Sequence, residues 1–393
     1  NVSFCDGLPM LPSPTPEALD HSERLKADLS RQIEAAGGWL SFADFMAQVL
    51  YAPGFGYYAA GAHKFGSAGD FVTAPEMTAL FGQALARQVG QLMELSVPAI
   101  IEVGAGSGRL AADLLLALEA QGQLPDSYAI LDLSPDLRER QQQTIAAAAP
   151  HLLPRVSWLD RLPEKFSGVV LANELLDALP AHLVHWTGDA ILERGVGLDA
   201  DGAFVWRDQA AEGALLQAAQ EIAEQCELPP DYLSEISLAA RAWSAEWGYR
   251  LQHGAVLLLD YGFPRQAFYH PQRRQGSLMC HYRHYAHPDP FYLPGLQDVT
   301  VHVDFTSIIA AAHPAGLDLL GYTSQGRFLM NCGLLDLLAE IPGGTPDYFR
   351  ASAAVGKLTL PHEMGELFKV MALGKGIEAS LLGFSLGDQS RRL

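Results

Sequence analysis

An acidic side chain and closely spaced glycines occur together in residues 100–110, and this combination suits the binding of a small polar ligand. The segment reads IIEVGAGSGRL, so Glu102 precedes Gly104 by two positions, and Gly106 and Gly108 follow. Glycines let the backbone turn tightly and approach a ligand, and the helix that follows presents free N–H groups at its first turn. Taken alone, such a loop is also typical of a plain turn between a strand and a helix.

The acid decides which ligand suits this loop. A dinucleotide-binding loop needs glycine where Arg109 stands, and Glu102 would repel a pyrophosphate but attract an ammonium group. This is the arrangement in S-adenosylmethionine methyltransferases, whose ligand carries an amino acid tail where NAD carries phosphates. The loop therefore favours S-adenosylmethionine, and an NAD-dependent dehydrogenase is the weaker alternative.

Further polar residues follow the next predicted strands. Asp132 ends the second apolar run, where sheets of this kind bind ribose hydroxyls through a carboxylate, and Leu133 follows it as a further cofactor-binding candidate. Asp160 ends the third run, where a side chain can meet the adenine. Asn173 and Glu174 end the fourth run and should point toward the transferred methyl group, because the carboxyl ends of parallel strands carry the site. Alternatively, Asn173 caps a helix.

Apolar runs and helical segments alternate from residue 97 onward, which predicts a parallel sheet with crossover helices. The fold class is α/β and Rossmann-like, with an N-terminal helical and loop extension and an inserted α+β subdomain. The predicted strands are residues 99–103, 128–133, 156–159, 168–172, 255–261, 317–322 and 367–373. The predicted boundaries are a disordered lead-in at 1–16, a helical and lid region at 17–96, a core at 97–180 and 255–380, an inserted hairpin and helical subdomain at 181–254, and a substrate loop at 262–303.

Composition and charge exclude several classes of protein. The 393 residues include 26 Lys and Arg against 45 Asp and Glu, a net charge of −19, which argues against nucleic acid as a partner. Apolar runs are far shorter than the roughly 20 residues that span a bilayer. The four cysteines are widely separated and predict neither a disulfide framework nor a zinc site. The N-terminus lacks the pattern of a targeting presequence, which favours the bacterial cytoplasm.

Seven unusual segments are spread over residues 40–375. They are YAPGFGYY at 51–58, GDFVTAPE at 69–76, EVGAGSG at 102–108, NELLDALP at 173–180, LDYG at 259–262, DVTVHVDF at 298–305 and MGELFK at 364–369. With these segments the chain resembles the MidA-like methyltransferases, a family that includes the mitochondrial complex I assembly factor that methylates an arginine of a core subunit. Departures are mild, and the family more often has Glu where Asp132 stands.

The resemblance implies a class I methyltransferase fold with a seven-stranded sheet. It also implies S-adenosylmethionine as methyl donor, S-adenosylhomocysteine as product and an arginine of a respiratory complex I subunit as acceptor. A guanidinium is planar and always protonated, so its pocket needs carboxylates that orient it and receive the proton lost on methylation. The candidate catalytic carboxylates are Asp70, Glu76, Glu174 and Asp177, with Asp260 and Asp304 ranked behind them.

Two other segments carry residues with chemical potential. In GDFVTAPE, Thr73 and Pro75 are predicted to belong to a lid over the donor, with a simple turn and helix start as the alternative. His281, His284 and His287 are spaced by three residues, which suggests a metal site. Because no clear carboxylate or cysteine partner accompanies them, we favour a substrate loop or a packed surface and predict no metal.

Alternatives to the arginine methyltransferase stay open. One is a methyltransferase with another acceptor, such as a small molecule or a different side chain. Another is an assembly factor that binds the cofactor without catalysis. The family is compatible with the bacterial cytoplasm and, for a eukaryotic source, with the mitochondrial matrix. The oligomeric state is open, and a homodimer is one of the options.

Overall fold

The structure is a computed structural model that describes residues 11–60 and 73–393. The chain forms two compact units. The sheet unit consists of Thr73–Asp177, Ala240–Phe268 and Val303–Leu393. The accessory unit consists of the described residues within Asn1–Val72, together with Ala178–Ala239 and Tyr269–His302.

The described residues contain short and long helices along the whole chain. They are α1 Pro16–Ala35, α2 Phe42–Tyr51, α3 Ala74–Met77, α4 Ala79–Glu94, α5 Arg109–Ala120, α6 Pro135–Ala148, α7 Gly213–Gln225, α8 Leu238–Arg250, α9 Arg265–Phe268, α10 Phe305–Ala312, α11 Gln325–Asn331, α12 Leu334–Ala339, α13 Pro346–Thr359 and α14 Met364–Leu367.

The described residues also form strands. They are β1 Leu40–Ser41, β2 Ala99–Val103, β3 Ser127–Leu131, β4 Val156–Leu159, β5 Phe166–Asn173, β6 His182–Trp186, β7 Ile191–Leu198, β8 Phe204–Ala210, β9 Tyr232–Ile236, β10 Leu251–Phe263, β11 Met279–Tyr282, β12 Tyr285–His287, β13 Asp298–Thr300, β14 Val303–Asp304, β15 Asp318–Ser324 and β16 Phe368–Lys375.

A mostly parallel sheet forms the centre of the sheet unit, in the order β15–β16–β10–β5–β2–β3–β4. Strands β10, β5, β2, β3 and β4 run parallel, and β16 runs antiparallel to both of its neighbours. All seven predicted strands are present in this sheet. The structure adds β14, a two-residue strand that pairs with the end of β10 and was not predicted.

The apolar runs of the central strands form the core of the sheet unit. Val169, Val170 and Leu171 of β5 are fully buried, and so are the neighbouring residues of β10. Strands covered on both faces read as continuous apolar runs, which explains why these strands were recognisable in the sequence. The covering helix α5 begins directly after the glycines, and its apolar stripe includes the buried Leu114 and Leu118. The carboxyl ends of β2, β3, β5 and β10 are therefore held by a well-packed core.

Antiparallel sheets and the helices α1, α2 and α7 form the described part of the accessory unit. Its larger sheet has the order β1–β7–β6–β9 with β8 paired to β7, and its smaller sheet has the order β12–β11–β13. The Ser41 hydroxyl accepts a hydrogen bond from the backbone N–H of Asp44 at 3.0 Å, so Ser41 caps α2. The Thr15 side chain caps α1 in the same way. Residues 1–10 of the predicted lead-in lie outside the described residues.

The observed units divide the chain differently from the predicted boundaries. Helix α4, placed in the N-terminal region by the sequence, and helix α8, placed in the insertion, both belong to the sheet unit. Near the end of the predicted hairpin and helical subdomain, strand β9 precedes helix α8. A short apolar run does not distinguish strand from helix, and here pairing with β6 makes residues 232–236 a strand. Within the described residues, no helix is both long and apolar enough to cross a bilayer.

Candidate active site

The glycine loop, residues 104–108, joins β2 to α5. Gly104, Gly106 and Gly108 have φ angles of 70°, 52° and 83°, in the left-handed region that favours glycine. A Cβ added at Gly106 would meet no described atom within 4 Å, so the loop borders open space there. A Cβ added at Gly108 would lie 2.8 Å from the Cα atom of Gln141, because α6 packs closely behind the loop. The loop thus has one open side and one tightly supported side.

Glu102 lies on strand β2, two residues before Gly104, and is almost fully buried. The Tyr128 hydroxyl donates a hydrogen bond of 2.7 Å to its Oε2 atom. Burial raises the pKa of Glu102 to about 7, the charge of Asp132 adds to the rise, and the Tyr128 hydrogen bond opposes it. A strongly shifted carboxyl group beside an open loop is typical of a ligand site, and a cationic ligand group would favour its ionised form.

Asp132 follows β3 and lies beside the glycine loop. Its Oδ1 atom accepts a hydrogen bond of 3.0 Å from the backbone N–H of Ser134, and its Oδ2 atom accepts one of 2.8 Å from Nε2 of Gln141. The same Nε2 atom donates to the carbonyl oxygen of Gly106 at 3.1 Å. Burial raises the pKa of Asp132, and these hydrogen bonds counteract part of the rise. Asp132 is therefore held in one orientation close to the loop.

The ends of β3 and β4 are joined by Arg138. Its guanidinium donates to the carbonyl oxygens of Asp132 and Leu159 at 2.6 Å, and it forms an ion pair of 2.7 Å with Asp160. The Asp160 side chain is 89% exposed, and Leu133 is 78% exposed. Both of these predicted cofactor-binding residues thus lie at the open rim of the sheet edge.

The polypeptide turns sharply after β5. Glu174 has a φ angle of 51°, which is rare and strained for a residue other than glycine. Its backbone N–H donates to the carbonyl oxygen of Leu259 at 2.8 Å, and Nδ2 of Asn173 donates to its Oε1 atom at 3.2 Å. The described residues that follow Asn173 form turns and not a helix, so the alternative that Asn173 caps a helix is wrong.

Asp260 lies beneath this turn and is almost fully buried. Its Oδ2 atom accepts hydrogen bonds from three consecutive backbone N–H groups, those of Leu175, Leu176 and Asp177, at 3.2, 2.8 and 3.3 Å. Its Oδ1 atom accepts a bond of 2.9 Å from the N–H of Tyr261. From the sequence we ranked Asp260 behind the other carboxylates. In the structure, its hydrogen bonds hold the backbone of the turn after β5.

Glu174, Asp177 and Asp260 form a group that we call the acceptor cluster. Burial, then the charges of Asp177 and Glu174, raise the pKa of Asp260 well above its ordinary value, and backbone N–H groups oppose the rise. The cluster lies next to the glycine loop, since a Cβ added at Gly104 would come 3.1 Å from Cδ1 of Leu175. Closely spaced carboxylates at this edge are able to hold a cationic group and to take up a proton.

Residues of the predicted lid are only partly described. Asp70 lies outside the described residues. Thr73 directly precedes α3, which contains Pro75 and Glu76. The Ser107 hydroxyl donates a short hydrogen bond to the Glu76 carboxylate, so Glu76 lies at the glycine loop, whereas the sequence grouped it with the acceptor carboxylates. The lid itself stays a prediction.

The remaining candidates are placed in other surroundings. His281 and His287 lie on the β11–β12 hairpin of the accessory unit, and His284 lies in its turn. In the two described stretches, no group of three or more His, Cys, Asp or Glu side chains could hold a metal ion. Asp304 forms a buried ion pair of 3.2 Å with Arg265 and caps α10.

Two polar residues of the site were not recognised in the sequence. They are Gln141 and Arg138, both on helix α6. A signal existed for Gln141, because it lies four residues before the buried Ile145 on the otherwise polar helix α6. An uncharged polar residue on a buried stripe must find partners, which is a reason to suspect a specific role. Arg138 leaves no comparable signal, since a charged residue on this helix looks like any solvated side chain.

Several known proteins are similar to this chain. A family described as "Putative S-adenosyl-L-methionine-dependent methyltransferase" matches residues 81–323. The chain is 28% identical over 410 aligned residues to the Drosophila melanogaster protein named "Protein arginine methyltransferase NDUFAF7 homolog, mitochondrial", with 94% of this chain and 90% of that protein covered. The mouse protein of the corresponding name is also 28% identical, with 86% and 81% covered.

A solved structure is similar over nearly the whole chain. It is a crystal structure from Burkholderia thailandensis with bound S-adenosyl-homocysteine, 50% identical to this chain, with a TM-score of 0.94. The match covers 98% of this chain and 100% of that one. The Burkholderia thailandensis protein is described as a "likely methyl transferase". Since the family match also spans more than half of the sequence, this chain belongs to the family of S-adenosyl-L-methionine-dependent methyltransferases.

Proposed function

We propose that this chain is a protein arginine methyltransferase, which transfers a methyl group from S-adenosylmethionine to a guanidinium nitrogen of a substrate protein. The observation that carries the proposal is the acceptor cluster, in which Glu174, Asp177 and Asp260 lie together beside the glycine loop. The names of the fly and mouse relatives, each a protein arginine methyltransferase, support the same acceptor.

The donor side of the proposed site fits S-adenosylmethionine group by group. Glu102 is suited to the ammonium group of the amino acid tail, and Asp132 to the ribose hydroxyls. The backbone of Gly104, Gly106 and Gly108 lets the ligand approach closely, because it borders open space at Gly106. The bound donor supplies an activated methyl group on a sulfonium. Adenine contacts are proposed for Leu133 and Asp160, and a covering role for Thr73 and Pro75.

The acceptor side must bind a cation and remove a proton from it. A guanidinium is protonated at any physiological pH, so one of its nitrogens must lose a proton as it is methylated. Glu174 and Asp177 are proposed to orient the guanidinium and to receive this proton, with Asn173 holding the Glu174 carboxylate. Asp70 and Glu76 stay further candidates from the sequence. Since no covalent intermediate is needed, positioning and charge supply most of the catalysis.

The finer identity of the substrate is also part of the proposal. The family resemblance points to an arginine of a respiratory complex I subunit. The names of the fly and mouse relatives include the word mitochondrial. For a bacterial source we propose the cytoplasm as the location and the same class of substrate.

The experiment measures methylation of a protein substrate directly. The full chain is incubated with S-adenosylmethionine and the matching complex I subunit, and modified residues are located by mass spectrometry. We expect methylarginine with the wild type and a rate about 100-fold lower with Glu174→Gln, since a positioned proton acceptor contributes a factor of this order. Glu340→Gln, an exposed position after α12, is the matched control and should keep the wild-type rate.

Each other outcome supports one of the alternatives. Methylation of a different side chain or of a small molecule would show that the acceptor is not arginine. Binding of S-adenosylhomocysteine without turnover on any complex I subunit, together with full complementation of a deletion strain by Glu174→Gln, would indicate a non-catalytic assembly factor. Equal turnover by the wild type and a folded Glu174→Gln variant would contradict the role given to the acceptor cluster.

A further inference from the structure

We infer that Gln141 is a positioning residue, which holds the ribose-binding carboxylate of Asp132 against the glycine loop. This inference deepens the proposed function and rests on its assignment of the donor side. It concerns a residue that touches no ligand in the proposed site and acts through Asp132 and Gly106.

The side-chain amide of Gln141 joins three parts of the sheet edge. It is fully buried on α6. Its Nε2 atom donates to Oδ2 of Asp132 at 2.8 Å and to the carbonyl oxygen of Gly106 at 3.1 Å, and its Oε1 atom accepts from Nε1 of Trp158 at 2.9 Å. One side chain therefore connects the loop after β2, the residue after β3 and strand β4.

The chemistry of these partners permits only one orientation of the amide. The indole N–H of Trp158 can only donate, so it requires the oxygen of Gln141. The carbonyl of Gly106 and the carboxylate of Asp132 accept, so they require the NH₂ group. In a flipped amide, the NH₂ group would face the indole N–H of Trp158, and the oxygen would face the Gly106 carbonyl and the Asp132 carboxylate. None of these pairs can form a hydrogen bond. Gln141 thus serves as a directional link, which an apolar residue of similar size cannot replace.

The close packing behind the loop lets the side chain reach these partners. A Cβ at Gly108 would collide with the backbone of Gln141, so α6 approaches the loop only because residue 108 is glycine. Without Gln141, Asp132 keeps its hydrogen bond from the backbone N–H of Ser134. Loss of Gln141 should therefore loosen Asp132 and the loop without unfolding the sheet unit.

The test compares the affinity for S-adenosylhomocysteine of the full-length wild type and the Gln141→Met variant by calorimetry. Leaving buried partners unsatisfied and mobile should weaken binding about 10-fold. The matched control is Gln88→Met. Gln88 is also fully buried in the sheet unit, on α4, and accepts from the backbone N–H of Gly383 at 2.8 Å. We expect the control to lose stability but to keep its affinity within about twofold.

A second variant and a double-mutant cycle separate positioning from simple packing. Gln141→Glu keeps an acceptor for Trp158 but removes both donations and places a charge near Asp132, so we expect a larger loss than with methionine. In an Asp132→Asn background, Gln141→Met should cost less than about threefold, because residues that act through one another are not additive. If Gln141→Met does not fold, the Gln141→Glu variant is used to test the inference.

Three results would overturn the inference. They are unchanged affinity in both Gln141 variants, the same loss in the Gln88 control, and an undiminished loss of affinity in the Asp132→Asn background. Failure of the donor-side assignment itself is distinguishable, because then Gly106→Val and Glu102→Ala would also leave the affinity unchanged.

Discussion

The two halves of the proposed site are held in place by different chemistry. On the donor side, the neutral amide of Gln141 fixes a carboxylate, Asp132, by donating to it. On the acceptor side, the carboxylate of Asp260 fixes the turn that carries two further carboxylates, Glu174 and Asp177. The Gln141 amide therefore orders Asp132 without adding a negative charge, whereas the Asp260 carboxylate orders its turn and adds one.

This difference has an electrostatic consequence. Like charges in a buried cluster disfavour ionisation of one another, and the pKa of Asp260 is raised by burial, Asp177 and Glu174. A bound cation relieves this repulsion. The acceptor half is thus suited to a guanidinium. A substitution that changes a charge in the acceptor half should therefore affect stability and activity more strongly than a substitution of the neutral Gln141.

The largest effect is expected from Asp260→Asn. Asparagine offers one acceptor oxygen, so either the three N–H groups of the turn or the N–H of Tyr261 loses its partner. We expect kcat to fall about 100-fold through misplacement of Glu174 and Asp177, while affinity for S-adenosylhomocysteine stays within about twofold. Steady-state kinetics and calorimetry on the same preparation measure both quantities.

The control for this prediction is Asp388→Asn, which applies the same change in the same unit. The Oδ1 atom of Asp388 accepts hydrogen bonds from the backbone N–H groups of Tyr322 and Ser390 at 3.2 and 3.0 Å. Because both bonds go to Oδ1, which an asparagine oxygen can replace, this variant should keep the wild-type kcat. A similar decrease of kcat in both variants would mean that Asp260 acts through general stability.

Gly106→Val should weaken ligand binding by the donor half, with a somewhat smaller effect than that of Asp260→Asn on kcat. A β-branched side chain is strained at a φ angle of 52° and would extend into the open space of the loop. We expect affinity for S-adenosylhomocysteine to fall about 50-fold, measured by calorimetry. Gly122→Val is the matched control, since Gly122 also has positive φ (69°) and no described atom within 4 Å of an added Cβ. Equal affinities of the two variants would argue against this ligand position.

Glu102→Gln sharpens the comparison by removing a buried charge from the donor half. Burial raises the folded-state pKa from 4.5 to about 7, so ionisation costs the folded protein about 3 kcal/mol above pH 7. The ligand-free variant should therefore be more stable than the wild type at pH 8, and the difference should vanish below about pH 4.5. Denaturant unfolding across this range measures it, and a less stable variant at pH 8 would contradict the prediction.

The smallest effect is expected from Asp160→Ala. The Asp160 side chain is 89% exposed and its ion pair with Arg138 lies in solvent, where such pairs contribute less than about 1 kcal/mol. Affinity for S-adenosylhomocysteine should change by about twofold or less. A loss of 10-fold would show that the adenine contact proposed for Asp160 contributes more to binding than such an exposed side chain should.

The strands and the glycine loop could be predicted because their signals are local. A strand buried on both faces reads as an apolar run, and residues 169–172 and 255–259 show it clearly. The unit boundaries could not be predicted in the same way. Helix α8 directly follows strand β9 in the chain, yet the two belong to different units. Contacts between distant segments decide such membership, and no local pattern reports them.

The amino acid sequence by itself determined the sheet, the position of Glu102 before the loop and the carboxylates at the ends of the strands, because each depends on neighbours in the chain. Only the tertiary structure decided the roles of Gln141 and Asp260. Gln141 lies 35 residues from Gly106, and Asp260 lies 84 residues from Leu176. A hydrogen bond between such distant residues depends on how the helices and strands pack, and its partners become visible only when the chain is folded.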